Sequence, residues 1–199
     1  MGQKRMAQPT VYLCLLHFPI ENRDGEEVVT AVTNLDVHDI ARTARTYGIK
    51  AYYLVSPVGE QQAHVRKILA HWQSEPLVSA NPDRSEALSL VRVAASFAEV
   101  RAEIAKECEA EPEVVLTDAR ELSGKVGYAD FRERLASGSL ARPVCLVFGT
   151  GWGVAKSFHQ EADFVLAPLY GPTGKKGYNH LSVRAAVAGI CDRLFGTSV

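Results

Sequence analysis

The feature that most constrains the fold is a pair of short apolar runs late in the chain, each leading into a glycine-containing loop. The first run, VCLVF (144–148), precedes GTGWG (149–153), and the second, FVLAPL (164–169), precedes YGPTG (170–174). Glycine permits positive φ and close backbone approach, so such loops can fold tightly around a ligand. Loops that converge at the ends of parallel strands are how α/β proteins hold small polar ligands.

The rest of the chain alternates apolar runs of strand length with amphipathic helical patterns. This alternation predicts an α/β fold in which helices flank a mostly parallel sheet, in a single domain over residues 1–199. We expect Asn34 to cap the first helix and residues 74–86 to form a surface loop. The predicted strands are 11–18, 49–56, 88–97, 113–119, 144–148 and 164–169, and the predicted helices are 34–48, 60–73, one ending near 109, 128–138 and 181–196.

Composition excludes several classes of protein. No apolar run reaches eighteen residues and no signal-peptide pattern opens the chain, so we expect neither a membrane span nor secretion. The four cysteines show no metal-ligand spacing, which predicts a reducing, cytoplasmic setting and no metal. The net charge of −1 excludes nucleic-acid binding by bulk charge but leaves room for a local basic patch.

The glycine-rich loop departs from the nucleotide-binding patterns. Gly149, Gly151 and Gly153 alternate, but Val154 stands where a dinucleotide fingerprint has its third glycine. The strand that follows ends in Ala-Pro-Leu-Tyr without the expected acidic residue. The chain has no GxxxxGK[ST] loop and no GxSxG elbow, so the sequence disfavours a nucleotide triphosphatase and an α/β-hydrolase.

Three segments together resemble the ordered motifs of the SPOUT (α/β-knot) RNA methyltransferases. They are TNLDVHDIARTARTYGIKAYYLV (33–55), LVFGTGWG (146–153) and NHLSVRAAVAGICDRL (179–194). The chain departs from the family where Thr150-Gly151-Trp152-Gly153 lacks the usual acidic residue, and where His180 takes the position of the usual Asn. It is most similar to a small single-domain subfamily resembling the C-terminal domain of tRNA (guanine-N1)-methyltransferases.

The resemblance implies a C-terminal deep trefoil knot whose loops grip S-adenosylmethionine (SAM). It also implies a homodimer that forms through the knot region, in which the partner subunit completes the pocket. The adenine ring would lie in an apolar slot whose backbone groups bind the ring edge. The cofactor-binding residues implied are Thr117, Phe148, Gly149, Thr150, Gly151, Trp152, Gly153, Leu166, Pro168, Leu169, Gly171, Asn179, His180, Leu181 and Ser182.

The resemblance assigns catalysis to Asn34 and Arg42 of the first motif. Arginine does not lose its proton, so Arg42 would bind a phosphate or orient a ribose, and the alternative is an ordinary surface ion pair. Trp152 either stacks on a base or packs in the core, and we favour the core. His38 either contacts RNA or is simply solvated, and we favour a solvated side chain. The residues proposed to contact RNA are His38, Arg45, Lys175, Lys176 and Arg184.

The function that follows is SAM-dependent methylation of tRNA or rRNA. The match at Arg42 favours the ribose 2′-oxygen as the methyl acceptor, and guanine N1 is the other acceptor considered. Asp118 or Asp130 could serve as the base for methylation at N1. The alternative from another class is a non-catalytic module that binds RNA or SAM.

Overall fold

The computed structural model describes residues 9–176 and 178–197. The strands are β1 Val11–Leu16, β2 Ile20–Glu21, β3 Glu27–Val28, β4 Ala51–Val55, β5 Val91–Ala94, β6 Glu113–Leu116, β7 Lys125–Val126, β8 Val144–Gly149 and β9 Phe164–Leu166. The helices are α1 Asn34–Thr46, α2 Gly59–Trp72, α3 Glu75–Ala80, α4 Pro82–Leu88, α5 Phe97–Cys108, α6 Tyr128–Ser137 and α7 Val183–Phe195. Two 3-10 helices, Lys156–Glu161 and Gly174–Lys176, complete the regular structure of these ranges.

Seven of the strands form one parallel sheet in the order β5-β4-β1-β8-β6-β9-β7. Strands β2 and β3 form a separate antiparallel hairpin. The predicted α/β architecture, a parallel sheet flanked by helices, is confirmed. None of the helices in the described ranges is long and apolar enough to cross a membrane.

The central strand β1 is buried on both faces, as its near-continuous apolar run predicts. Tyr12 and Cys14 contribute to the core on one face of the sheet, while Leu13 and Leu15 contribute to the core on the other. Helices cover both faces of a parallel sheet, which is why such strands do not alternate apolar and polar residues. Leu16 pairs with Gly149 of β8, so the two strands end side by side.

Helix α1 begins at Asn34, the residue predicted to be its cap, so the observed cap lies one residue earlier. Thr33 is the cap: its side-chain oxygen accepts a hydrogen bond from the N–H of Asp36 at 3.2 Å. Thr33 and Asn34 are both favourable capping residues, and the extended backbone at Thr33 decides between them. The pattern predicts an apolar stripe of Leu35, Val37, Ile40, Ala41, Ala44 and Tyr47. Its four central members are buried, whereas Leu35 is exposed and Tyr47 is half-buried.

The prediction of a surface loop over residues 74–86 is wrong. Helices α3 and α4 occupy this segment, and both carry a proline in the first turn. Proline is a turn signal in many contexts, but at the start of a helix its missing N–H costs nothing. Asn81 caps α4 by accepting from the N–H of Arg84, and the Ser85 hydroxyl donates to the carbonyl of Trp72 at 2.8 Å. These contacts dock the segment against the end of α2.

The last helix, α7, packs against α1 and α6. Ser182 caps it by accepting from the N–H of Ala185 at 3.3 Å. A Cβ placed on Gly189 would lie 3.2 Å from Leu169 Cδ1, so this small residue lets the loop after β9 approach the helix closely. The helix therefore forms one side of the loop cluster described next.

Candidate functional site

Four loops meet at the carboxyl edge of the sheet, because β1, β8, β6 and β9 are neighbouring parallel strands. The loops begin at His17, Thr150, Thr117 and Ala167. This edge is where parallel α/β sheets bind ligands. The expectation that the two loops after residues 144–148 and 164–169 share one edge is confirmed.

The glycine-rich loop, residues 149–155, folds back sharply at the end of β8. A Cβ on Gly149 would lie 2.6 Å from Val154 Cγ2, and Gly153 has a φ of +103°, so a larger residue at either position would be strained. The N–H of Gly153 donates to the carbonyl of Thr150 at 3.0 Å. Trp152 at the turn is 60% exposed, so its predicted place in the core is wrong. The tight turn directs the side chain outward.

The β2–β3 hairpin holds the glycine-rich loop from the outside. The N–H of Glu21 donates to the carbonyl of Gly153 at 3.0 Å. The hydroxyl oxygens of Thr30 and Thr150 lie 2.5 Å apart. Long connections between a strand and a helix are often functional, and here the connection between β1 and α1 supports the candidate ligand loop.

His17 follows β1 and is fully buried. Its Nδ1 lies 3.1 Å from Thr30 Oγ1, and its Nε2 has no hydrogen-bond partner among the described residues. Burial lowers the pKa of His17 to about 4, so the ring is neutral at neutral pH. The geometry makes His17 a support for Thr30, and through Thr30 for the glycine-rich loop.

The ends of β8 and β9 supply apolar walls. Phe148, Leu166 and Pro168 are buried, and Leu169 is half-buried. Thr117, at the end of β6, is also buried and donates its hydroxyl hydrogen to a β8 carbonyl at 2.9 Å. Its hydroxyl hydrogen is therefore already used, and only the lone pairs of the oxygen remain to bind a donor.

Unpaired backbone groups lie in the loop that follows these walls. The N–H groups of Leu169 and Tyr170 form no hydrogen bond with any other described residue. A Cβ built on Gly171 would meet nothing within 4 Å, so open space adjoins the loop. A flat heteroaromatic ring needs apolar faces and backbone donors at its edge, and this loop offers both.

The loop before α7 is largely solvent-exposed. Asn179 is half-buried, whereas His180, Leu181 and Ser182 are exposed. Ser182 uses its hydroxyl oxygen to cap α7, as described above. The structure thus places the predicted residues of this loop at the start of α7, with their side chains largely open to a ligand or a partner.

The two residues predicted to be catalytic lie on α1 but do not touch each other. The side-chain oxygen of Asn34 lies 2.7 Å from Nε2 of His64 on α2. Arg42 is exposed and forms no ion pair with any described residue. It lines a depression of about 330 Å³ with Asp39, Thr43, Thr46 and Tyr47. Arg42 is therefore available to an anionic group from outside the subunit.

Five residues are predicted to contact RNA, and three of them form ion pairs within the chain. These pairs are Arg45–Glu86 at 2.5 Å, Lys175–Glu121 at 3.0 Å and Arg184–Asp36 at 3.1 Å. Lys176 is exposed and has no ion pair among the described residues. His38 is half-buried and edge-on to Trp72 at 5.7 Å between ring centres, so its expected solvated position is wrong. Trp72, at the end of helix α2, supplies the ring that covers His38.

Sequence reasoning missed Arg120 and Glu121, which lie in the loop after β6. The guanidinium of Arg120 donates to both carboxylate oxygens of Asp118, at 2.9 and 2.7 Å, so Asp118 is engaged and not a free base. Asp130, the other base considered, is exposed in the first turn of α6. The charged run TDARE (117–121), placed immediately after a buried strand, is the signal that could have found these residues.

A family model described as SAM-dependent RNA methyltransferase matches residues 10–196, which is nearly the whole chain. The protein belongs to this family. The match confirms the RNA methyltransferase family inferred from the three motifs, with SAM as the cofactor and RNA methylation as the reaction of the family.

Two relatives of this methyltransferase show how its chain compares in length. An uncharacterised protein of Aquifex aeolicus is 41% identical over 190 residues, which are 96% of this chain and 90% of the relative. A tRNA (guanine-N(1)-)-methyltransferase of Oleidesulfovibrio alaskensis is 38% identical over 95% of this chain but only 43% of its own length. The methyltransferase chain therefore spans less than half of the second relative.

Solved structures share the fold of this methyltransferase at low sequence identity. TrmJ from Z. mobilis has a TM-score of 0.57 at 18% identity, covering 96% of this chain and 70% of its own. The TrmH/SpoU tRNA modifying enzyme of A. aeolicus has a TM-score of 0.53 at 14% identity, with coverages of 96% and 75%. A structure concerned with 2-OH methylation of C/U34 on tRNA has a TM-score of 0.56 at 18% identity, with coverages of 94% and 95%. At these identities the likeness shows the fold alone.

The residues at the carboxyl edge fit the family's cofactor. An adenine ring is suited to apolar walls, which Phe148, Leu166 and Pro168 offer, and to backbone donors, which the unpaired N–H groups of Leu169 and Tyr170 offer. No cluster of three or more potential metal ligands occurs in the described part of this methyltransferase.

Proposed function

We propose that this protein methylates the ribose 2′-hydroxyl of a nucleotide in tRNA or rRNA. The observation that carries the proposal is the exposed guanidinium of Arg42, which no described carboxylate neutralises. Arg42 lies on α1, the helix that the first family motif covers. A cation that is free in the isolated subunit is suited to a ligand that brings its own negative charge, such as an RNA phosphate.

SAM supplies an electrophilic methyl group on a sulfonium sulfur. In our proposal the adenine lies against Phe148, Leu166 and Pro168, and the backbone of Leu169 and Tyr170 binds its edge. The remaining cofactor-contacting residues are those that the motifs imply: Thr117, Gly149, Thr150, Gly151, Trp152, Gly153, Gly171, Asn179, His180, Leu181 and Ser182. The neutral walls suit the ring, and the glycine-rich turn allows the polar part of the ligand to approach the backbone closely.

Arg42 would act on the acceptor. Its guanidinium stabilises negative charge that develops on the ribose oxygen, and it orients the neighbouring phosphate. Arg42 remains protonated, so the hydroxyl proton passes to solvent or to another group. Asn34 would position the same nucleotide, and it would exchange its contact with His64 for one with the RNA.

The second candidate is methylation at guanine N1 of tRNA. The name of the Oleidesulfovibrio alaskensis relative favours it. Methylation at N1 benefits from a free carboxylate, and Asp118 is held by Arg120 whereas Asp130 is exposed. Among the described residues Asp130 thus keeps a free carboxylate, and our preference for the ribose hydroxyl rests on the exposed guanidinium of Arg42.

The expected knot and homodimer form part of the same proposal. Strand β8 lies between the earlier strands β1 and β6, and β9 lies between β6 and β7, which is the insertion pattern that a C-terminal knot requires. The depression beside Arg42 lies on an exposed part of α1, where a second copy could bring Arg42 to its own cofactor loops. We place the enzyme in the cytoplasm, where tRNA and rRNA are found. Light scattering of the protein as it elutes from a size-exclusion column is expected to give twice the mass of one chain.

The decisive experiment transfers methyl groups from labelled SAM to total RNA and identifies the modified nucleoside by mass spectrometry. We expect a 2′-O-methyl nucleoside, and we expect Arg42→Ala to lower the rate by about a hundredfold because it removes charge stabilisation at the acceptor. Arg66→Ala is the matched control: Arg66 is also an exposed helical arginine, and among the described residues its guanidinium donates to Gln62 at 3.1 Å.

Each alternative gives a different result. Appearance of N1-methylguanosine would replace the ribose acceptor with the second candidate. SAM binding without transfer to any RNA would favour the non-catalytic module. Equal activity of the Arg42 and Arg66 variants would remove Arg42 from the mechanism.

A further inference from the structure

Two consecutive residues after β6 connect the loops that flank the proposed cofactor site. Arg120 contacts the glycine-rich loop and the β2–β3 hairpin, and Glu121 contacts the loop after β9. These loops come from three separate parts of the chain. A short segment that touches all of them can set their relative positions.

Arg120 connects the segment after β6 to the glycine-rich loop. Its Nη2 donates to the carbonyl of Val154 at 2.6 Å, and its Nη1 donates to Glu21 on the hairpin. A Cβ on Gly153 would lie 2.9 Å from the same Nη2, so the absence of a side chain at Gly153 makes room for the guanidinium. The planar fork of arginine bonds several acceptors at once, which lysine does not reproduce.

The acceptors around Arg120 are largely withdrawn from solvent. The Asp118 side chain is 2% exposed and that of Glu21 is 12% exposed. Lys156 Nζ lies 4.0 Å from Glu21, and Nε2 of His159 lies 3.5 Å from the guanidinium. Buried carboxylates need a paired cation, so loss of Arg120 would force this cluster to rearrange and release the loop.

Glu121 connects the segment after β6 to the loop after β9. Its carboxylate accepts hydrogen bonds from Lys125 and from the hydroxyl of Tyr170, and Lys175 Nζ lies 3.0 Å away. Donation by these groups, Lys125 first, lowers the pKa of Glu121 to about 2. Tyr170 and Lys175 lie on either side of Gly171, so Glu121 restrains the segment whose unpaired backbone faces the proposed adenine slot.

We propose that Arg120 and Glu121 are positioning residues that hold opposite walls of the cofactor site in register. The inference rests on the proposed location of that site. Neither residue needs to touch the cofactor, because each acts through a loop that does. Preorganised loops bind more tightly since less conformational freedom is lost on binding.

The test compares each residue with an arginine or a glutamate that forms a similar ion-pair network near the amino ends of the strands, away from the proposed site. Arg142 pairs with Glu113 and Asp163 before β8, so Arg142→Met is the control for Arg120→Met. Glu107 pairs with Arg92 and Lys50, so Glu107→Ala is the control for Glu121→Ala. Arg120→Lys is added because it keeps the charge and removes the fork.

Two measurements are made on each folded variant. Hydrogen exchange without cofactor reports the mobility of peptides covering 149–155 and 168–176. We expect Arg120→Met to speed exchange in the first peptide and Glu121→Ala in the second, with no change in the controls. Isothermal titration with SAM is expected to show about tenfold weaker binding for both variants, which corresponds to one charge-assisted hydrogen bond. Arg120→Lys is expected to fall between wild type and Arg120→Met.

The outcomes separate this inference from the proposed function. Unchanged exchange in both loops would overturn the inference, whatever the cofactor does. Faster exchange with unchanged SAM affinity would overturn it too, because the loops would then not form the site. A wild-type protein that does not bind SAM would instead overturn the proposed function. SAM affinity that falls equally in the controls would show a general loss of stability and reject positioning.

Discussion

Arg184 on the last helix donates a hydrogen bond to the buried carboxylate of Asp36 on the first helix, at 3.1 Å between Nη1 and Oδ1. The same carboxylate accepts the hydroxyl hydrogen of Thr33, the residue that caps α1, at 2.6 Å. Arg184 also lies 3.4 Å from Asp39. The start of α1 and the start of α7, which the first and third family motifs cover, are thus joined by one guanidinium.

Loss of this pair is expected to destabilise the fold. Arg184→Met leaves Asp36 buried without its cation, so we expect the free energy of unfolding to fall by about 2 kcal/mol, less than for a fully buried pair because Arg184 is 30% exposed. Arg45→Met is the control, since Arg45 and Glu86 are both about half exposed and should contribute less than about 1 kcal/mol. Urea titration measures both. Equal losses in the two variants would show that the Asp36 pair has no special role.

A pH dependence is expected from His17. The pKa of His17 is about 4 in the folded protein, whereas its ordinary value, which applies to the unfolded chain, is 6.5. Between pH 4 and pH 6.5, therefore, only the unfolded chain takes up the proton. The contribution of the neutral ring to the free energy of unfolding is therefore fully present above pH 6.5. It decreases as the pH falls toward 4, by about 1.4 kcal/mol per pH unit. Urea titrations at several pH values should show this slope in wild type and a shallower one in His17→Asn. Parallel curves would contradict the burial effect.

Two glycine substitutions should separate a structural role from a ligand role. Gly149→Ala places a methyl group against Val154, so we expect a loss of about 1–3 kcal/mol of stability. Gly171→Ala meets nothing within 4 Å, so its stability should stay within about 0.5 kcal/mol of wild type. If Gly171 borders the cofactor, calorimetry should show weaker SAM binding by the stable Gly171→Ala variant. Unchanged binding would place the cofactor away from this loop.

Trp152, which the motifs place beside the cofactor, is also expected to stack on an RNA base and not to pack in the core. Its side chain is 60% exposed, so Trp152→Ala should leave the melting temperature nearly unchanged. Stacking of one base on an aromatic ring contributes about 1–3 kcal/mol, so fluorescence anisotropy should show RNA affinity falling by about fivefold or more. Trp152→Phe should retain most of the affinity. An Ala variant with wild-type RNA affinity would exclude stacking at this position.

The sequence by itself determined the class of the fold and most of its long elements, but not helices α3 and α4 or the short strands β2, β3 and β7. The apolar run of β1 and the stripe of α1 predicted their burial because periodicity is a property of adjacent residues. Gly138 predicted the end of α6 and takes the left-handed conformation there, with a φ of +69°. The three motifs also identified the family, since their order along the chain is a property of sequence alone.

Only the tertiary structure decided what the charged and exposed side chains do. Nothing near Arg184 in sequence indicates that its partner lies 148 residues away, and nothing near Arg120 indicates that Glu21 and Val154 meet it. The order of the strands brings those segments together, and that order depends on the burial of the whole sheet. A long charged side chain forms its ion pair or hydrogen bond with whichever group the packing of the fold brings within reach. For this reason the chemistry of the loops followed from the family motifs, whereas the contacts that hold the loops in place followed from the fold.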